Sequence, residues 1–173
     1  KPFDNIVYFV GEKSANLKRL EGIPNLITVE GVPDDIDKYI AEDANNLFCF
    51  DDLMVEIQTN PQLTSLFSKK CHHRKVSIFL IVQQLFYNGR ERLSIYRCAH
   101  YLVVFQSNLD KSQVHSLAHK ILPGRQRTFL AIFEAATSSP NGYLLIDGHS
   151  HTPPEARFRT DIFKKYQKVF VVE

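Results

Sequence analysis

Two aspartates set side by side behind an apolar run are the strongest chemical feature of this chain. Asn46-Leu47-Phe48-Cys49-Phe50-Asp51-Asp52 leads four apolar residues straight into a pair of carboxylates. A buried parallel strand ends in this way, and ligands bind just beyond the carboxyl ends of such strands. Alternation along the strand sends one carboxylate to each side, so the pair can divide its work. One can hold the water shell of a Mg2+ ion, and the other can orient a water for attack on a phosphate. The same spacing suits a plainer role, in which the pair caps a following helix over Leu53–Gln58. With Glu56 the two also make a carboxylate cluster of the kind that serves a Mg2+-dependent nuclease.

A second run supplies a partner. Ser77-Ile78-Phe79-Leu80-Ile81-Val82 passes directly into Gln83-Gln84. A neutral amide at the end of a strand beside Asp51-Asp52 hydrogen-bonds both a water and a γ-phosphate oxygen without repelling the phosphate charge. Four hydrophobic residues followed by Asp-Asp is the Walker B pattern, and the amide after the next strand reinforces it. Cys71-His72-His73, Cys98-Ala99-His100, His115-x-x-x-His119 and His149-Ser150-His151 raise a metal reading, but no third ligand falls at a known zinc spacing. They read as surface or packing residues, and Cys49, inside the strand, as core.

The elements that must position these groups are legible as alternating strands and helices. Apolar runs at Ile6–Val10, Leu26–Val29, Leu47–Phe50, Val76–Val82, Tyr101–Phe105 and Tyr143–Ile146 lack polar alternation, as strands covered on both faces do. Between them, Asp34–Ile40 begins after a proline with acids in its first turn, and Gln62–Ser68 puts Leu63, Leu66 and Phe67 on one face. Ser112–Leu122 stops at Pro123-Gly124, and Thr128–Ala136 stops before Ser138-Ser139-Pro140. The pattern predicts an α/β domain with a mainly parallel sheet.

Composition agrees and excludes other classes. The 173 residues are 44% apolar and 23% charged, which rules out collagen, coiled coil and wholesale disorder. No stretch reaches the length and apolarity of a membrane span. Three cysteines are too few for a disulfide framework and point to reduced thiols inside a cell. Charge is divided: residues 1–60 hold 5 Lys/Arg against 12 Asp/Glu, and residues 61–173 hold 16 against 7. An acidic chemical region and a phosphate-facing region would produce this split, as would ordinary drift of surface charge.

The motifs, taken in order, resemble a known family. They are Phe50-Asp51-Asp52-Leu53-Met54, Leu66-Phe67, His72-His73-Arg74, Phe79 to Phe86, His100 to Phe105, Pro123-Gly124, Ala136-Thr137, Gly142 to Asp147 and Arg159-Thr160-Asp161-Ile162-Phe163. In this order they look like the packaging ATPases of the FtsK/HerA class encoded by Polinton/Maverick elements and by adenovirus-like and other large DNA viruses. The resemblance runs from about Ile6 to Phe163. It implies a P-loop NTPase (RecA/ASCE-like) α/β fold over residues 1–163, with a parallel-sheet core, helices on both faces and a C-terminal tail at 164–173. It implies a homo-oligomeric ring that hydrolyses ATP with Mg2+ to drive double-stranded DNA into a capsid through portal or vertex proteins. Such a motor works inside the cell, at a virion assembly site in the host nucleus or a cytoplasmic factory, or at a virion vertex. By position, Asp51 would hold Mg2+ and the nucleotide, Asp52 would be the catalytic carboxylate and Gln83 the sensor amide. The basic residue of the family near Leu109 is missing, so Arg92, Arg97 and Arg74 stand as candidates for the arginine that acts on a neighbouring subunit. Arg90, Arg125 and Arg127 are candidate DNA-phosphate contacts that would carry no sequence information, or simply solvated loop residues. His72-His73-Arg74 would lie at a subunit or DNA surface.

One departure is large. No glycine of the chain falls in G-x-x-x-x-G-K-[ST], so the phosphate cradle and its lysine are lacking. The family's P-loop strand would lie between Val76–Val82 and Tyr101–Phe105, and deleting it would orphan backbone groups on both. The start at Lys1-Pro2-Phe3 fits a piece of a longer chain whose preceding residues supply that strand. The alternative is a degenerate ATPase fold kept for assembly or DNA binding.

Overall fold

The computed structural model describes residues 2–12, 15–86 and 98–172. Arg90, Arg92 and Arg97, together with the turn at 87–90, lie outside the described residues. The chain divides into two compact units, Lys1–Cys98 and Ala99–Glu173.

The first unit is a four-stranded parallel sheet. Strands β1 (Asn5–Val10), β2 (Leu26–Glu30), β3 (Asn46–Asp51) and β4 (Val76–Ile81) lie in the order β2-β1-β3-β4. Each of the four apolar runs predicted here forms its strand. Register aligns Val10 with Asp51 and Asp51 with Ile81, so the carboxyl ends finish level. Val7, Phe9, Phe48 and Phe50 all turn to one face, where they join Ile36, Leu53, Ile57, Leu63, Leu66 and Phe67 in the core. Phe9 stacks on Phe50 with ring centroids 4.8 Å apart and meets Phe48 edge-on at 5.4 Å. This aromatic layer sits directly behind the two aspartates and fixes where the end of β3 points.

The amino-terminal end of β3 is fixed by a buried amide. Asn46 Nδ2 donates to the Ala41 and Ala44 carbonyls, and its Oδ1 accepts from the Ala41 N–H and from Asn5 Nδ2. Every hydrogen-bonding position of the side chain is used, which is what makes a fully buried asparagine tolerable.

The helices differ from expectation in detail. Helix α1 covers Met54–Thr59, and α2 (Pro61–Ser65) runs through a π-helical turn at Leu66–Lys70 into α3 (Cys71–His73). The π turn inserts one residue, with the Cys71 N–H reaching the Leu66 carbonyl, and both Leu66 and Phe67 stay buried against the sheet. Of the helix predicted over Asp34–Ile40, only a 3-10 turn at Asp37–Tyr39 forms. Only Ile36 of this segment is fully buried, and one anchor cannot hold a longer amphipathic face.

The second unit corrects the expectation of a mainly parallel sheet. Strands β5 (Tyr101–Phe105), β6 (Tyr143–Asp147), β7 (Phe158–Thr160) and β8 (Lys168–Phe170) form a separate sheet that is antiparallel throughout. Between β5 and β6 lie two helices, α4 (Ser112–Ile121) and α5 (Gln126–Thr137), joined at Pro123-Gly124. A single helix between strands returns the chain for a parallel strand, whereas a pair leaves it reversed. Helix α5 packs on β6 and β7, with Phe129 edge-on to Phe158 at 6.0 Å. Residues 164–173, expected as a tail, contain β8. The fold class shown is therefore α/β with one parallel and one antiparallel sheet. No helix among the described residues is long and apolar enough to cross a membrane.

Candidate functional site

The sheet order of the first unit reverses between β1 and β3, the position at which open parallel sheets bind ligands. Here that crevice is closed. Gly11, the residue after β1, donates its N–H to the Asp51 carbonyl at 3.0 Å. A β-carbon on Gly11 would come within 2.3 Å of the Asp52 carbonyl oxygen, so only glycine fits. The chain leaves β3 through Asp52 in the left-handed region (φ 56°), a conformation that aspartate tolerates better than most residues. This turn carries the Asp52 side chain away from β1 and toward the end of β4. There Gln83 Nε2 donates to Asp52 Oδ1 at 2.7 Å. Among the described residues, the site is open on the β4 side.

The two carboxylates occupy different environments. Asp52 is exposed, while Asp51 is half-buried and accepts a 2.6 Å hydrogen bond from the Tyr8 hydroxyl. Burial, and then this bond and the charge of Asp51, push the Tyr8 phenol well above its ordinary value. Cys49, on the same face as Asp51, has its thiol pushed up to about 11, first by burial and second by the Asp51 charge. Neither effect was read from the sequence. The signal for Tyr8 was a lone hydroxyl within Ile6–Val10, two residues before the strand ends, on the face its register shares with Cys49.

The pair does not cap the next helix. Helix α1 has Leu53 at its N-cap and no side-chain cap, because both carboxylates are turned to Tyr8 and Gln83 instead. Nor do Asp51, Asp52 and Glu56 form the nuclease arrangement: among the described residues no group of three or more His, Cys, Asp or Glu side chains is placed to hold an ion. The same holds for the Cys/His pairs. Among these, His149 lies with ring centroids 5.2 Å from both His100 and His151.

The described basic candidates fall in both units. Arg74 is exposed and precedes β4, so it stands at the amino-terminal ends of the strands, opposite to Asp51 and Asp52. A shallow depression lined by Phe3, Asn45, Cys71, Lys75 and Ser77 lies at that same end and contains no carboxylate. Arg125 and Arg127 are exposed at the start of α5, in the second unit. No protein-family model, curated protein or solved structure matches this chain.

Proposed function

We propose that the Asp51–Asp52–Gln83 constellation is the water-and-metal half of an ATP-hydrolysing centre, in a ring motor that packages double-stranded DNA. The observation that carries this reading is the 2.7 Å contact between Gln83 and Asp52 at the level carboxyl ends of adjacent parallel strands. With Gln83 Nε2 engaged on Asp52 Oδ1, Asp52 Oδ2 and Gln83 Oε1 remain to receive the two hydrogens of one water. The water oxygen is then free to attack a γ-phosphorus. The P–O bond to ADP breaks, and the proton passes to Asp52. Asp51 suits Mg2+, being a hard oxygen ligand half-buried and oriented by Tyr8. A nucleotide-bound Mg2+ needs only one or two carboxylates beside the phosphates and its waters. When bound, the ion would neutralise charge on the phosphates.

The phosphate cradle must come from residues outside the 173. Support for a further strand comes from β4, which pairs only with β3 among the described strands. Phe79 and Ile81, 62% and 51% exposed, lie on the sheet face opposite the core-facing Ile78 and Leu80. In the second unit β5 likewise pairs only with β6 and exposes Tyr101, Val103 and Phe105. The capsid and portal partners and the ring rest on the family resemblance, with Arg74, Arg92 and Arg97 as its trans-acting candidates.

The lack of G-x-x-x-x-G-K-[ST] favours a second reading, a non-hydrolysing ATPase fold used for assembly or DNA binding. The discriminating experiment compares these 173 residues with the gene product extended by the residues preceding Lys1. On the first reading the extended protein hydrolyses ATP in the presence of Mg2+ and the 173 residues alone do not. If the extended protein is inert as well, the second reading holds.

A further inference from the structure

The turn between β7 and β8 displays aromatic rings in a manner the packing of the second unit does not use. Phe163 is 93% exposed and Tyr166 76% exposed, although both belong to a turn that is tied down at its base. The Asp161 carboxylate takes the Lys164 ammonium at 2.9 Å and the Lys168 ammonium at 3.7 Å, gripping the turn from both ends. The Lys164 N–H donates to the Asp161 carbonyl, and the Ile162 N–H donates to the Tyr143 hydroxyl at 3.0 Å. The lysine bonds hold the Asp161 carboxyl below its usual range, as expected of a tether made of charged partners. A turn held this way has already lost much of the conformational freedom that binding would otherwise cost.

We propose that the Phe163–Lys168 turn binds single-stranded nucleic acid, with Phe163 and Tyr166 stacking on unpaired bases and Lys165 meeting a phosphate, while Lys164 and Lys168 stay on Asp161 and hold the turn. Rings and ammoniums alternate within six residues, which matches a ligand that repeats an aromatic face and a negative charge in each unit. Duplex DNA keeps its bases stacked internally and would engage the lysines but not the rings. An anionic bilayer would draw Tyr166 toward hydrocarbon and Lys165 toward headgroups. Yet the Lys165 ammonium lies over the Tyr166 ring, 5.4 Å from its centroid, and a base stacked on that ring keeps the pair together. The proposal is independent of the nucleotide site on the first unit.

The test uses fluorescence anisotropy with a labelled short oligothymidylate. Wild-type protein should bind it, and Phe163→Ala/Tyr166→Ala should weaken binding by about tenfold or more, from the usual worth of base–aromatic stacking. Lys165→Gln should flatten the logarithmic salt dependence by about 0.7, the value of one phosphate contact on a single strand. The chain contains no tryptophan, so Phe163→Trp gives a single reporter that keeps the stacking face. Its emission should be quenched by the oligonucleotide. Unchanged affinity in the double alanine variant overturns the proposal, as does equal affinity for a duplex of the same length. A blue shift of the reporter on phosphatidylserine vesicles without quenching by oligothymidylate overturns it in favour of lipid. Self-association that the alanine pair abolishes, with no oligonucleotide binding, overturns it in favour of a second copy.

Discussion

Replacing Gly11 by alanine tests the closed crevice on which the placement of Asp52 depends. The added β-carbon would stand 2.3 Å from the Asp52 carbonyl oxygen and 3.2 Å from its carbonyl carbon. Carbon and oxygen normally approach no closer than about 3.3 Å, so the turn after β3 must retreat by roughly 1 Å. The obstacle is backbone on both sides, and no side chain can swing away. Overpacking of this kind costs about 1–3 kcal/mol. The retreat also stretches the 3.0 Å bond from the Gly11 N–H to the Asp51 carbonyl, worth about 0.5–1.5 kcal/mol. The expected total is about 1.5–4.5 kcal/mol, confined to the first unit. Native-state hydrogen exchange reads it locally: amides of β1 and β3 should exchange roughly ten to two thousand times faster, while those of β5 and β6 keep their rates. If Gly11→Ala leaves β1 and β3 as protected as in the wild type, the geometry derived for the Asp51–Asp52 turn is wrong.

Two further outcomes follow from buried groups. The Cys49 thiol, buried and pushed up to about 11 from an ordinary value near 9, should resist a disulfide reagent at pH 8 until the protein is unfolded. Because its folded value is the higher one, the stability it contributes is complete below pH 9 and is lost as pH rises from 9 through 11. Cys49→Ala should remove that portion of the alkaline decline, and an identical decline in the variant would refute it. In the second unit, Arg159 binds the Asp147 carboxylate, which is nearly inaccessible to water. Arg159→Met should therefore cost about 3–5 kcal/mol in urea unfolding, and the double change with Asp147→Asn should restore most of it. Equal losses in the single and double variants would contradict the buried-charge explanation.

What the sequence disclosed, and what it hid, divides by the range of the interactions involved. Strands β1 to β6 are mostly apolar runs, broken only by Thr28 and Ser77 within them, so local pattern located them, and Asp51-Asp52 and Gln83 followed as the residues at the ends of two such runs. That β3 and β4 are neighbours is what brings Gln83 to Asp52. Strands β7 and β8 escaped notice because each has three residues and carries charge (Arg159, Lys168), and they exist only through pairing with distant strands. The antiparallel second sheet depended on counting two helices between β5 and β6, a matter of chain parity and not of periodicity. Tyr8 reaches Asp51 across 43 positions of sequence, a separation at which no spacing rule operates. The closeness of Gly11 to Asp52 was hidden for the same reason, since Gly11 has an ordinary φ and follows its strand without any turn signature.

The central claim is that Asp52 and Gln83 together activate a water. Its most direct test is the rate of ATP hydrolysis by the full-length gene product, measured for the wild type and for Asp52→Asn. The account predicts that asparagine, which keeps the shape but accepts no proton, lowers kcat by about a hundredfold to ten-thousandfold, with Mg2+–ATP affinity nearly unchanged. Hydrolysis that proceeds at the wild-type rate in Asp52→Asn would contradict it.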